Sequence, residues 1–250
     1  MAGMTAQAST TVRIAAVADL HCSKSSKGSL QPLFAQAAQV ADVLALCGDL
    51  TDYGLPEEAH LLVSELAAAE RIPIVAVLGN HDFEANKQAE ISRVLDDAGV
   101  HVLDGDGVIL HGVGFAGVKG YVGGFGDRAL QAWGEPSLKA LVHDASEEAI
   151  KLERALARLR TPRRVALLHY SPIEATVVGE PTQIYSWLGS SRLEEPLNRY
   201  SVAATFHGHA HYGHAEGKTA SGSPVYNVSL PLMRRLNGEG RPFRLIHVKA

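Results

Sequence analysis

Five short apolar runs limit what this chain can fold into: Val12–Ala18, Asp42–Cys47, Pro73–Leu78, Arg164–Leu168 and Val202–Phe206. A strand with one wet face alternates apolar and polar residues, whereas a nearly unbroken apolar run belongs to a strand covered on both faces. Helical stretches separate the first three runs. Leu30–Val40 reads as one helix. Pro56–Glu70 reads as another, with Pro56 in the first turn, Glu57 and Glu58 at the positive end of the dipole, and Ala59, Leu62, Leu66 and Ala69 on one face. Glu84–Ala98 reads as a third, with Gly99 placed to end it. Three strand–helix alternations in succession call for parallel strands joined by right-handed crossovers.

The middle of the chain changes character. Val100–Leu103, Val108–Leu110 and Val113–Val118 are short strands broken by Asp-Gly and His-Gly turns, which predicts an antiparallel meander. A long Gly-rich loop spans Gly120–Pro136, a helix is expected over Ser146–Arg160, and a second long loop spans Ile173–Ser190. Strands return at Val202–Phe206, His214–Thr219, Val225–Val228 and Phe243–Val248. With no repeat or linker, residues 12–250 read as a single domain preceded by a disordered N-terminus over 1–11.

At 250 residues the chain is long enough to bury a core without staples, and 46% hydrophobic with 20% charged residues is ordinary for a globular protein. A net charge of −4 provides no general pull toward nucleic acid or anionic membrane. No apolar leader and no run of 18 or more apolar residues is present, so the expectation is a cytoplasmic protein without a membrane partner. Two cysteines, Cys22 and Cys47, are no disulfide framework and read as reduced thiols.

The residues just after each apolar run carry the chemistry. Asp19-Leu20-His21 comes after the first, Gly48-Asp49-Leu50-Thr51-Asp52 after the second and Gly79-Asn80-His81-Asp82 after the third. His169 comes after the fourth, and His207-Gly208-His209-Ala210-His211 after the fifth. Open α/β sheets gather their sites at the carboxyl ends of strands, so these groups can meet in one cleft. Imidazole, carboxylate and amide oxygen without clustered thiolates suit Mn, Fe or Zn and disfavour a structural zinc site. Seven candidate ligands are too many for one ion with open positions and suit two, a pair that acts as a clamp for in-line displacement at phosphorus.

The order D-x-H, G-D-x-x-D, G-N-H-D, H, G-H-x-H, here DLH at 19–21, GDLTD at 48–52, GNHD at 79–82, His169 and GHAH at 208–211, resembles the calcineurin-like metallophosphoesterase superfamily. The resemblance implies a four-layer α/β/β/α sandwich. It implies Asp19, His21 and His211 around one metal, Asn80, His169 and His209 around a second, and Asp49 bridging them. His81 would then act at the leaving group as acid or charge stabiliser, oriented by Asp52, while a hydroxide held by the metals attacks phosphorus. Protein phosphatases of this superfamily carry an arginine where Tyr53 stands, and the motif GNHD ends in Asp82 where theirs ends in Glu. GDLTDYG with GNHD is more similar to the small bacterial phosphodiesterases, although His169-Tyr170-Ser171-Pro172 departs from the His-His-Pro-Pro pattern of the cyclic-nucleotide types.

The expectation is therefore a phosphodiesterase acting on a small nucleotide-type diester. The alternatives are a phosphomonoesterase, a nuclease and a metal-free scaffold. Outside the motifs, His207 and His214 read as supporting or surface residues, Asp82 and Asp42 as supports, and Asp104 and Asp106 as turn formers. Lys24 and Lys27 are either substrate contacts or a solvated loop.

Overall fold

The inner strands of the two sheets send alternate residues into two different apolar layers, which is why the apolar runs are unbroken. The computed structural model describes residues 11–249. In chain order the first half holds β1 (Thr11–Val17), α1 (Gln31–Val40), β2 (Val43–Cys47), α2 (Pro56–Leu66), β3 (Ile74–Val77), α3 (Gln88–Asp97), β4 (Val100–Val102), β5 (Asp106–Leu110) and β6 (Val113–Gly117). The second half holds α4 (Pro136–Arg158), β7 (Arg164–Leu167), α5 (Tyr185–Leu188), α6 (Glu194–Tyr200), β8 (Ala204–His207), β9 (Glu216–Lys218), β10 (Pro224–Asn227), α7 (Leu230–Asn237) and β11 (Arg244–Lys249). One sheet has the order β11-β1-β2-β3-β4, parallel except for β11, and the other β5-β6-β7-β8-β10-β9, parallel except for its two edges.

Three apolar clusters divide four layers. Ala15, Val17, Leu44 and Leu46 pack outward on Phe34 of α1, Leu62 and Leu66 of α2 and Ile91 and Leu95 of α3. Their strand neighbours Ile14, Ala16, Val43, Ala45, Val75 and Val77 face Phe115, Val165, Leu167 and Phe206 of the other sheet. Beyond that sheet, Ala116, Ala166 and Leu168 meet Leu152 and Leu156 of α4 and Leu197 of α6. The α/β/β/α sandwich implied by the motifs is the fold observed, and among the described residues no helix is long and apolar enough to cross a membrane.

Several expected elements are corrected. Val100–Val102 is not part of a meander: it runs parallel to β3, because α3 is a full crossover, and only β5 and β6 form an antiparallel pair. The long helix starts at Pro136, ten residues before Ser146, since its first turns are mostly exposed and bury only Val142 and Ala145. Helix α3 starts at Gln88 rather than Glu84, after a 3-10 turn over His81–Phe83. Three helices, α5, α6 and α7, lie where none was expected. Of the stretch 1–11, only Thr11 is described, and it opens β1 opposite Lys249; residues 1–10 lie outside the described residues.

Candidate metal centre

All the motif loops leave the same ends of the two sheets. Asp19, His21, Asp49, Asn80 and His81 follow β1, β2 and β3, while His169, His209 and His211 follow β7 and β8. Main-chain bonds lace these loops together: Asp19 N–H donates to the Gly48 carbonyl at 2.9 Å, His21 N–H to Asp49 O at 3.0 Å, and Gly208 N–H to His169 O at 3.1 Å. Asp19, His21, Asp49 and His209 all have left-handed backbone, with φ of 57°, 44°, 49° and 69°. Non-glycine residues rarely take this conformation, and where they do the surroundings hold them there.

Two motif glycines exist for close approach. A Cβ on Gly208 would lie 2.5 Å from Asp19 Oδ2, and one on Gly79 would overlap the Asp49 carboxylate. These two glycines therefore let a carboxylate from another motif loop pass beneath them, and Gly48 does the same for the His169 ring.

The seven candidate ligands fall into two groups, and a third group, His21, Asp52 and His81, shares His21 with the first. In the first, Asp19, His21 and His211 converge, with His211 Nε2 3.1 Å from Asp19 Oδ1. In the second, Asp49, His169 and His209 converge, with Asn80 Oδ1 2.9 Å from His169 Nε2. Asp49 stands between them: Oδ1 is 3.3 Å from His169 Nε2 and Oδ2 is 3.9 Å from His21 Nε2. The structure thus brings together all seven residues singled out as ligands.

The donor set fits cations on the evidence of its own hydrogen bonds. The Cys47 carbonyl takes His169 Nδ1–H at 3.1 Å. Neutral His169 would then turn a bare Nε2 lone pair onto the oxygens of Asn80 and Asp49. Oxygens and a nitrogen lone pair face one another at this point, and a proton or a metal ion has to lie between them. Electrostatics agree. Burial would lower the His169 imidazolium, but the Asp49 and Asp19 carboxylates outweigh it and raise its pKa to about 9. Burial would likewise raise Asp49, yet His169 and the hydrogen bond from His81 N–H hold its carboxyl well below the usual range. Burial and the His169 charge push His209 down to about 4.

His81 and Asp52 meet in an unexpected way. His81 Nδ1 lies 2.7 Å from the main-chain carbonyl of Asp52, while the Asp52 carboxylate sits 3.3 Å from His21 Nδ1. Asp52 therefore orients His81 through its backbone and turns its side chain to His21. Asp82 is buried and accepts from Gly79 N–H at 2.7 Å, Thr51 N–H at 2.8 Å and Thr51 Oγ1 at 2.6 Å, tying the second motif to the third. His207 is a buried support bonded to Thr176 Oγ1 at 2.8 Å, His214 is exposed, and Lys24 and Lys27 lie on an exposed loop. Cys22 and Cys47 are buried in clusters on opposite faces of one sheet, and burial raises both thiols, Cys22 to about 12. Inert reduced thiols account for both.

Three residues beside the centre were not singled out from sequence: Lys119, Tyr121 and Tyr170. Lys119 Nζ lies over the rings of Phe83, Tyr121 and Tyr170 at 5.2, 4.6 and 5.1 Å, and Tyr170 packs on the His209 ring at 4.6 Å. The signal that found the ligands also marks Lys119, since Val113–Val118 is an apolar run that ends in it. Glu84, 3.7 Å from His81 Nδ1, had no comparable mark.

The family model for calcineurin-like phosphoesterases matches residues 12–213. No curated protein matches. Among solved structures, a phosphopantetheinyl hydrolase from Mycobacterium tuberculosis is similar at a TM-score of 0.66 with 14% identity, covering 93% of this chain and 95% of that one. A protein of Thermus thermophilus is similar at 0.54 and 16%, covering 96% and 99%. A putative 5'-nucleotidase from Staphylococcus aureus is similar at 0.53 and 17%, covering 87% of this chain and 48% of that one. Matched over most of its length, the chain belongs to the calcineurin-like phosphoesterase family and is a metal-dependent phosphoric ester hydrolase.

Proposed function

We propose that this hydrolase is a phosphodiesterase acting on a small nucleotide-type diester, with residues 12–250 as one catalytic domain. The observation that carries this reading is a cavity of about 400 Å³ that begins at Asn80 and is walled by Phe83, Tyr121 and Tyr170. An ester arm needs such a space, and the charge of the lining separates a diester from a monoester. Aromatic walls suit a nucleoside arm. Among the described residues the only cation lining the cavity is Lys119, which matches the single charge of a diester better than the dianion of a monoester.

In this reading Asp19, His21 and His211 hold one ion, Asn80, His169 and His209 the other, and Asp49 both. Ions held there supply Lewis-acid polarisation of the phosphoryl oxygens and bring the ionisation of water toward a pKa of about 7. The remaining work belongs to side chains. The Asp52 carbonyl can only accept, so His81 carries its proton on Nδ1 and leaves Nε2 free for the departing oxygen. Burial disfavours the charged imidazole, but the Asp52 carbonyl and the charges of Asp49 and Glu84 outweigh it and raise its pKa. His81 is thereby kept protonated more readily than a free histidine, which suits a group that donates to an alkoxide.

The test is a comparison of bis(p-nitrophenyl) phosphate with p-nitrophenyl phosphate in Mn²⁺. The expected result is a higher kcat/KM for the diester. A large preference for the monoester makes the protein a phosphomonoesterase.

A further inference from the structure

A second cavity adjoins the one beside Asn80. It has a volume of about 280 Å³, shares Phe83 and Lys119 with the first and runs between Leu78, Leu103 and the start of α3. Polar groups along this joined cleft are unequally distributed. At the near wall, Asp144 and Glu147 on α4 take part in no hydrogen bond or ion pair among the described residues, unlike Glu148, which binds Gly120 N–H at 2.8 Å and Lys151 Nζ at 2.7 Å. In the recess, Gln88 Oε1 is buried without a partner. All three unengaged groups are acceptors. Among the described residues the one cation lining either space is Lys119, at their junction, and its ammonium spends a single hydrogen bond, on the Gly120 carbonyl at 3.0 Å. An ammonium has three protons to give, so two remain. The Lys119 carbonyl accepts His169 N–H at 2.9 Å, which fixes this residue beside the metal centre.

Resting on the diesterase reading, we propose that Lys119 grips the phosphoryl oxygens and that the cleft beyond it takes an ester arm rich in hydrogen-bond donors and without a second anionic group. Free carboxylates accept from hydroxyls or amines and repel phosphate or carboxylate, and a buried amide oxygen without a partner calls for an N–H or O–H. A nucleoside with unmodified hydroxyls has this chemistry; a nucleoside with a further phosphate does not.

Three p-nitrophenyl diesters with a common leaving group test this: those of ethanol, of thymidine through its 5'-oxygen, and of the same thymidine carrying a 3'-phosphate. The expected kcat/KM for thymidine exceeds that for ethyl by about tenfold, and the added 3'-phosphate costs at least about tenfold. In the Asp144→Asn/Glu147→Gln variant the penalty for the 3'-phosphate shrinks toward unity. Lys119→Met, which keeps the apolar stem between the rings, raises KM for all three by about tenfold while metal content and Tm stay at the wild-type values. Equal rates on both thymidine esters, or an unchanged penalty in the double variant, overturn the arm assignment. An unchanged KM in Lys119→Met overturns the role of Lys119 and leaves it a packed lysine. If none of the diesters turns over while p-nitrophenyl phosphate does, the diesterase reading fails by itself. The cleft is then judged by inhibition of that reaction, where thymidine must compete better than thymidine 3'-phosphate for the assignment to stand.

Discussion

Asp49 concentrates the most consequence in one side chain. Its two oxygens face histidines of both donor groups, and Oδ1 also accepts His81 N–H at 2.9 Å. Asp49→Asn keeps the shape and removes the charge. Losing a group that merely orients a metal ligand costs about 10–100-fold, so losing a bridging ligand is expected to cut turnover by more than about 10²-fold and to lower bound metal, read by elemental analysis of the purified protein. His81 is a different case. It groups with His21 and Asp52 and stands outside the two groups formed by the seven candidate ligands, so His81→Ala is expected to lower kcat by about 10²–10⁴-fold with metal content intact. Full activity in either variant contradicts the role given to it. At this scale the sequence was legible wherever a polar residue ends an apolar run, because strand geometry then fixes where its side chain arrives. It named Asp52 as the partner of His81 but not the means, for the backbone carbonyl meets His81 while the carboxylate turns to His21, and a main-chain contact leaves no trace in residue identity.

Among the elements, buried strands were legible and exposed helices were not. Strand β2 is buried at every position and stands out as an apolar run, whereas the first turns of α4 bury two residues in ten and carry no stripe to read. The direction of β4 was misread because three residues hold too little pattern to separate a hairpin partner from the end of a crossover. The turn after β8 shows how an element delivers two histidines at once. Gly208 lies over the Asp19 carboxylate, and His209 N–H donates to both oxygens of that carboxylate at 3.1 Å. Gly208→Ala forces the turn away from β1 and moves His209 and His211 together. Overpacking of this kind costs about 1–3 kcal/mol, and the variant is expected to show a lower Tm together with loss of metal from both positions. Loss of stability with unchanged metal stoichiometry would separate the turn from the site.

Taken whole, the molecule draws its donor groups from two sheets that pack through a layer of apolar side chains such as Phe115 and Phe206. Metal ions held between Asp19 and His211, or between Asp49 and His169, therefore join the sheets across the apolar layer. Binding to the folded state alone stabilises it by about 2.7 kcal/mol at a hundredfold excess over Kd, so Mn²⁺ is expected to raise the Tm of metal-depleted protein along a saturable curve. The size of that rise depends on pH with a definite sign. Without metal, His169 takes up a proton between Asn80 and Asp49, and its pKa of about 9 lies above the ordinary value near 6.5. A raised folded-state pKa contributes stability that is complete below about 6.5 and is lost as pH climbs through 9. Metal requires the deprotonated nitrogen, so loading at pH 7 must expel this proton, and loading at pH 9 need not. The Tm gain from Mn²⁺ is accordingly expected to widen from pH 7 to pH 9. Calorimetric heats of Mn²⁺ binding at pH 7 are expected to vary with the ionisation enthalpy of the buffer. A Tm gain that is flat across this window, with buffer-independent heats, would mean that no proton occupies the gap between the two sheets and that the carboxylates there are balanced in some other way.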